Sequence, residues 1–208
     1  MKLVCGIGIN DADYNVVQFR NGKQVWICPH YRAWKSMLGR VTGVYTDVTV
    51  VNAWKTFSNF RLWSVKNAPR SMEGYVLDKD LLSFSKKVYG PLTCVYIPKT
   101  LNSLLTVVKV NKNGLPLGVS KMDDLFVSQI SYLGKKKGLG RFLNPSDAHR
   151  AWQQEKVNNL LDYSTKYYKE LDFNPVVYDA ILTIAMKIHK EEVSGLETVN
   201  LFTNNIIY

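Results

Sequence analysis

The chain has 208 residues, 46% of them hydrophobic, and a formal net charge of +10 with a pI near 9.4. That is enough for one large or two small cores, and no Pro-, Gly- or Ser-rich run reads as a disordered linker. The opening MKLVCGIGINDADYN reaches Asn10, Asp11 and Asp13 before any long apolar run, and Cys5, Cys28 and Cys94 are scattered. The expectation is therefore an intracellular protein with reduced thiols, no membrane partner, no disulfide framework and no zinc motif.

In chain order, PHYRAWKSMLGRV sets Tyr31, Trp34, Met37 and Leu38 at helical spacing, with Arg32, Lys35 and Arg40 on the other side. VTVVNAWKTFSNFRLWSVKN continues that logic with Trp54, Phe57, Phe60 and Trp63, aromatics better suited to a core than to base stacking. LDKD opens a segment that turns at Gly90-Pro91 and continues as a strand, CVYIP, so a β-hairpin is expected, followed by a helix carrying Asn102.

From Pro116 the pattern changes. PLGVSKM, LFVSQISYL and GLGRFL read as three meandering strands, separated by Asp123-Asp124 and by a glycine-bounded turn holding Lys135, Lys136 and Lys137. Asn144, Pro145 and Asp147 announce a helix whose apolar stripe is Ala148, Trp152, Leu160, Tyr163, Tyr167 and Leu171. It should cover one face of the meander and leave the other free. Asn174-Pro175 begins a further helix with Val177, Ile181, Ile184 and Ile188 in one row, suited to its own domain or to a homodimer seam. Residues 194–208 carry no legible pattern.

Taken in order, YRAWKSMLGR, VTVVNAWKTFSNFRLW, LDKDLL, VYGPLTCVYIP and LNSLL resemble phage-encoded HNH (His-Me finger) homing endonucleases. GLPLGVS through LGRFLNPSDAHRAWQQEKV is similar to the APETALA-type DNA-binding domain that such proteins carry behind the nuclease. The resemblance implies an α+β fold: a degenerate HNH ββα-metal-like module over residues 1–108, then a three-stranded antiparallel sheet plus helix over 109–172. A C-terminal helix and tail would occupy 173–208.

Position by position, Asp78 matches the family's metal-binding acid and Asn102 its helix-borne asparagine, while Thr93 stands at a structural asparagine. Lys79 replaces the water-activating histidine, although some members of this phage branch also read LDKD. Arg40-Val41-Thr42 and the stretch from Val48 to Trp54 lack the cysteines and the acid common in relatives. Hydrolysis needs a base near neutrality and a well-held metal. His30, His149 and His189 lie elsewhere in the sequence, Lys79 between two aspartates stays protonated, and one carboxylate plus one amide is a poor magnesium site. Asp78, Lys79 and Asn102 are therefore read as remnants with no catalytic metal or other cofactor; magnesium at Asp78 and Asn102 belongs to the alternative of an active endonuclease.

The positive charge makes double-stranded DNA the expected partner. Strand alternation sends Gln129 and Ser131 to the free face, with Lys121 and Arg141 from the flanking strands, as base readers. Lys135, Lys136 and Lys137 in their turn, and Lys79, Lys86 and Lys87 at the old nuclease site, are expected at phosphates. The resemblance then implies a transcriptional repressor derived from a homing endonuclease, of the kind carried by phage satellites and acting in the cytoplasm of a bacterial host cell.

Overall fold

The computed structural model of the chain describes residues 3–43, 47–83, 87–106 and 114–202. The fold is mixed α+β, and the chain divides into two compact units, Met1–Pro98 and Lys99–Tyr208. The division falls earlier than the expected boundary after residue 108, and the last helix shares a unit with the one before it.

The first unit begins with a hairpin that was not anticipated: β1 (Val17–Arg20) pairs antiparallel with β2 (Lys23–Ile27) through Asn21 and Gly22, both at positive φ. Asn-Gly is a strong short-range hairpin signal because both residues tolerate the left-handed region that a type I′ turn needs. Helix α1 (Pro29–Val41) follows, with Pro in its first turn and with Tyr31, Trp34, Met37 and Leu38 buried as their spacing foretold. The next segment is not one helix. It splits into β3 (Thr49–Val50), a 3-10 turn (Asn52–Lys55), an extended Thr56, and α2 (Phe57–Asn67). Asp11 explains the restart, since its carboxylate accepts from Ser58 N (2.9 Å) and Ser58 Oγ (2.6 Å), capping α2 from 47 residues away. The aromatics form the core as expected, with Phe57 edge-on to Tyr31 and Phe60 edge-on to Trp54, ring centroids 5.2 and 5.0 Å apart.

The expected hairpin exists in altered form. Strand β4 (Tyr75–Asp78) pairs antiparallel with β6 (Val95–Pro98), while between them come a single helical turn, α3 (Asp80–Ser83), and β5 (Val88–Tyr89), which pairs in parallel with β3.

The second unit opens with α4 (Lys99–Leu105) and continues as a sheet of order β7 (Val119–Met122), β8 (Leu125–Tyr132), β9 (Lys135–Phe142). Helix α5 (Pro145–Tyr167) lies on that sheet, and Asn144 Oδ1 caps it by accepting from Asp147 N at 2.9 Å. Leu171 falls beyond the helix end and is 80% exposed, so it is no part of the stripe. Helix α6 (Pro175–Val193) packs on α5 and buries Val177, Ile181, Ile184 and Ile188 within its own unit. That row is therefore unavailable as a dimer seam.

The chain after α6, which had no legible pattern, is pinned to α5 by buried polar contacts. Gln153 Nε2 donates to Leu196 O and Thr198 Oγ1, both at 2.9 Å, and Thr198 N donates to His149 Nε2 at 3.0 Å. An acceptor at Nε2 puts the imidazole proton on Nδ1, which donates to Leu117 O at 2.9 Å. His149 is thereby held neutral. Burial pushes its pKa below the usual histidine value, against the Leu117 bond and the Glu197 and Glu191 carboxylates that raise it. Because the unfolded state then binds the proton more readily, stability is full above the unfolded pKa of about 6.5 and falls as pH drops below it. His30 in the first unit, also lowered, by burial and by Arg61, acts in the same sense. Urea midpoints measured from pH 8 to pH 5 are expected to decline only below about 6.5, with the Thr198 amide losing exchange protection.

Candidate nucleic-acid interface

Register decides which side chains share a face of the sheet, because residues directly opposite in an antiparallel pair point the same way. Along β8, Ser128 and Ile130 are buried toward α5, and Gln129 and Ser131 are exposed on the other side, as alternation predicts. Opposite Ser131 stands Lys136 and opposite Val127 stands Arg141, so both cations join Gln129 and Ser131 on the open face. All four are exposed. A bulge makes this possible: β8 advances from Ser128 to Gln129 while β9 steps from Gly140 to Gly138, leaving Leu139 unpaired and resetting the alternation.

Three expected positions change. Lys121 lies opposite Phe126 and hence on the α5 side of the sheet. The lysine run is not a turn, because the turn is the pair Leu133 (φ 47°) and Gly134 (φ 78°), and all three lysines lie in β9. Lys135, opposite Tyr132, and Lys137, opposite Ile130, take the α5 side, where Lys137 Nζ reaches Glu155 of α5 at 2.8 Å. Only Lys136 of the three shares the open face.

In the first unit the residues expected to be nuclease remnants have structural occupations. Asp78 Oδ1 accepts from Asp80 N (2.9 Å) and Leu81 N (2.7 Å), capping the α3 turn. Burial holds its carboxyl above the usual carboxylate range, against those two bonds that lower it. Lys79 is 8% exposed, pairs with Asp80 at 2.5 Å, and lies 5.7 Å from the centre of the Tyr89 ring, whose hydroxyl oxygen accepts from Arg40 Nη1 at 3.2 Å. A lysine so enclosed cannot grip a backbone phosphate as expected. Lys87 is exposed but ion-paired with Asp47, and Lys86 lies outside the described residues. Thr93 Oγ1 donates to Val88 O at 2.6 Å, a loop-fastening role. His30 Nδ1 bonds to Ser64 Oγ at 2.8 Å, and Ser64 Oγ to Tyr96 Oη at 2.6 Å, so His30 serves a core polar chain.

Asp78 and Asn102 fall in different units, the latter on α4. The donor set does not fit magnesium, which takes near-octahedral oxygen coordination. One Asp78 oxygen is committed to two backbone N–H groups, and no group of three or more His, Cys, Asp or Glu side chains converges among the described residues. Asp78→Ala is expected to cost the first unit about 1 kcal/mol through the lost cap, read as a lower urea midpoint with unchanged slope.

Sequence reasoning missed Lys156. It sits four residues from both Trp152 and Leu160, on the apolar stripe of α5, and is 3% exposed. A lysine at a stripe position was the signal.

Among the described residues no helix is long and apolar enough to cross a membrane. Comparison of the chain with protein-family models, curated proteins and solved structures finds no match.

Proposed function

We propose that the chain is a sequence-specific double-stranded DNA-binding protein, a transcriptional repressor derived from a phage HNH homing endonuclease whose cleavage site has been lost. The observation that carries this reading is the open face of the β7–β9 sheet, where Lys136 and Arg141 flank Gln129 and Ser131 on a chain of net charge +10. Gln can pair bidentately with adenine and Arg with guanine, while Lys supplies a point contact to phosphate. The loss of cleavage is supported by the chemistry of the first unit: the acid caps a helical turn, and an ammonium stands where a water-activating base belongs. A protein seated on a promoter without cutting it blocks transcription, and such a protein would act in the bacterial cytoplasm.

Incubation with phage DNA in magnesium or manganese, at protein excess and over hours, separates the readings. A retarded complex without scission is expected. A metal-dependent cut that Asp78→Ala abolishes would establish the active endonuclease instead. Absence of any complex at low salt would turn attention to a protein partner.

A further inference from the structure

Strand β7 leaves β8 early. Its register ends with Val119 opposite Ser128, Gly118 O accepts one more bond from Gln129 N at 3.0 Å, and from Ile130 onward β8 has only β9 as a strand partner among the described residues. The notch beside this free edge is a cavity of about 390 Å³ within the second unit, walled by the end of α4 and floored by Trp152 and Lys156 of α5. Among the described residues its charged side chains are Lys136 and Lys156, with no carboxylate in the lining, and Ser103, Thr106 and Ser131 add hydroxyls.

Lys156 is the telling group. Its ammonium donates to Leu104 O at the end of α4 and lies 5.7 Å from the Trp152 ring centre, yet it has no acidic partner among the described residues. An ammonium has three donors and a buried one without a counter-charge is costly. Burial accordingly pushes its pKa down to about 8. An anion entering the notch would satisfy the remaining donors and supply the missing charge.

We infer that the notch is a binding site for a small phosphate-bearing ligand with an aromatic or apolar body, its phosphate held between Lys156 and Lys136 and its body against Trp152. The volume lies within the range of small-molecule pockets, and a nucleoside monophosphate is the simplest probe of this chemistry. The same phosphate chemistry could be presented by a nucleotide of bound DNA. The site stands on the cavity and its lysines, independently of the proposed repressor role.

The test is calorimetric titration of the full chain with inorganic phosphate and with AMP, beside gel shifts with duplex DNA. The variants are Lys156→Met, which removes the buried charge, and Ser103→Trp, which fills the mouth from an exposed position and tests the site even if the first variant fails to fold. AMP should bind, inorganic phosphate should compete, and each variant should weaken AMP at least about tenfold, Lys156→Met by the loss of a charge-assisted hydrogen bond and Ser103→Trp by occlusion. Affinity should also fall between pH 7 and pH 9 as Lys156 loses its proton. Lys136 of β9 is the other charged side chain among the described lining residues, and α4 and β7 contribute none. If AMP does not bind but both variants weaken duplex binding, the phosphate comes from DNA and the site stands. AMP binding unchanged in Ser103→Trp, or no effect of either variant on phosphate, AMP or duplex, overturns the site.

Discussion

Replacing Gly118 with alanine is expected to destabilise the second unit by about 3 kcal/mol or more, the largest effect of any single methyl group in it. Gly118 has φ +77°, where a Cβ is strained, and a Cβ there would lie 1.9 Å from Trp152 Cδ1 and 2.3 Å from Cγ. The indole cannot retreat. It is 4% exposed and stacks on His149 with centroids 5.5 Å apart, and that imidazole is fixed at both nitrogens. Gly134 provides the control, for its φ is +78° but no atom lies within 4 Å of its absent Cβ. Gly134→Ala should cost only the backbone strain, about 1 kcal/mol. Urea unfolding of the two variants separates collision from conformation; equal losses would show that Trp152 yields.

The second large effect is on DNA. Alanine at both Lys136 and Arg141 is expected to lower duplex affinity about 10- to 100-fold at low salt, flattening the slope of log K against log salt by roughly 0.9 for the lost Lys136 phosphate contact and relaxing sequence preference through the loss of Arg141. Alanine at both Lys121 and Lys137, which removes the same charge from the α5 side, should leave affinity nearly unchanged. Gln129→Ala should cost the preferred sequence about 1 to 3 kcal/mol more than a random one. Equal loss in the two double variants, with no change in preference for Gln129→Ala, would mean that DNA senses only net charge.

Much of the second unit was legible because local chemistry and packing agree. Asn144-Pro145 starts α5 where a cap and a first-turn proline should, and alternation along β8 assigns Gln129 and Ser131 correctly. The lysine run was misread because Leu133 takes a left-handed conformation that leucine seldom adopts, so the glycine-bounded stretch after it looked like the turn. Lys121 was placed on the wrong face because a face follows from register against the neighbour, and the two-residue Asp123-Asp124 turn sets Lys121 opposite Phe126. In the first unit, the motif resemblance at Asp78 and Lys79 says nothing of how many backbone N–H groups a carboxylate already serves. Nor could pairs far apart in sequence, such as Asp11 with Ser58 or Thr198 with His149, be read from local pattern.

The bulge at Leu139 makes the open face of the sheet a matter of parity. Lys136 and Arg141 are an odd number of residues apart and in a regular strand would point oppositely; the unpaired residue makes the count even. Deleting Leu139 would remove the bulge yet leave the two cations four residues apart on one face, whereas one residue added to the strand beside the bulge would change no charge and still separate them, sending one toward α5. In this strand one added residue works as a sign change, able to rewrite what the sheet presents while leaving its charged composition intact.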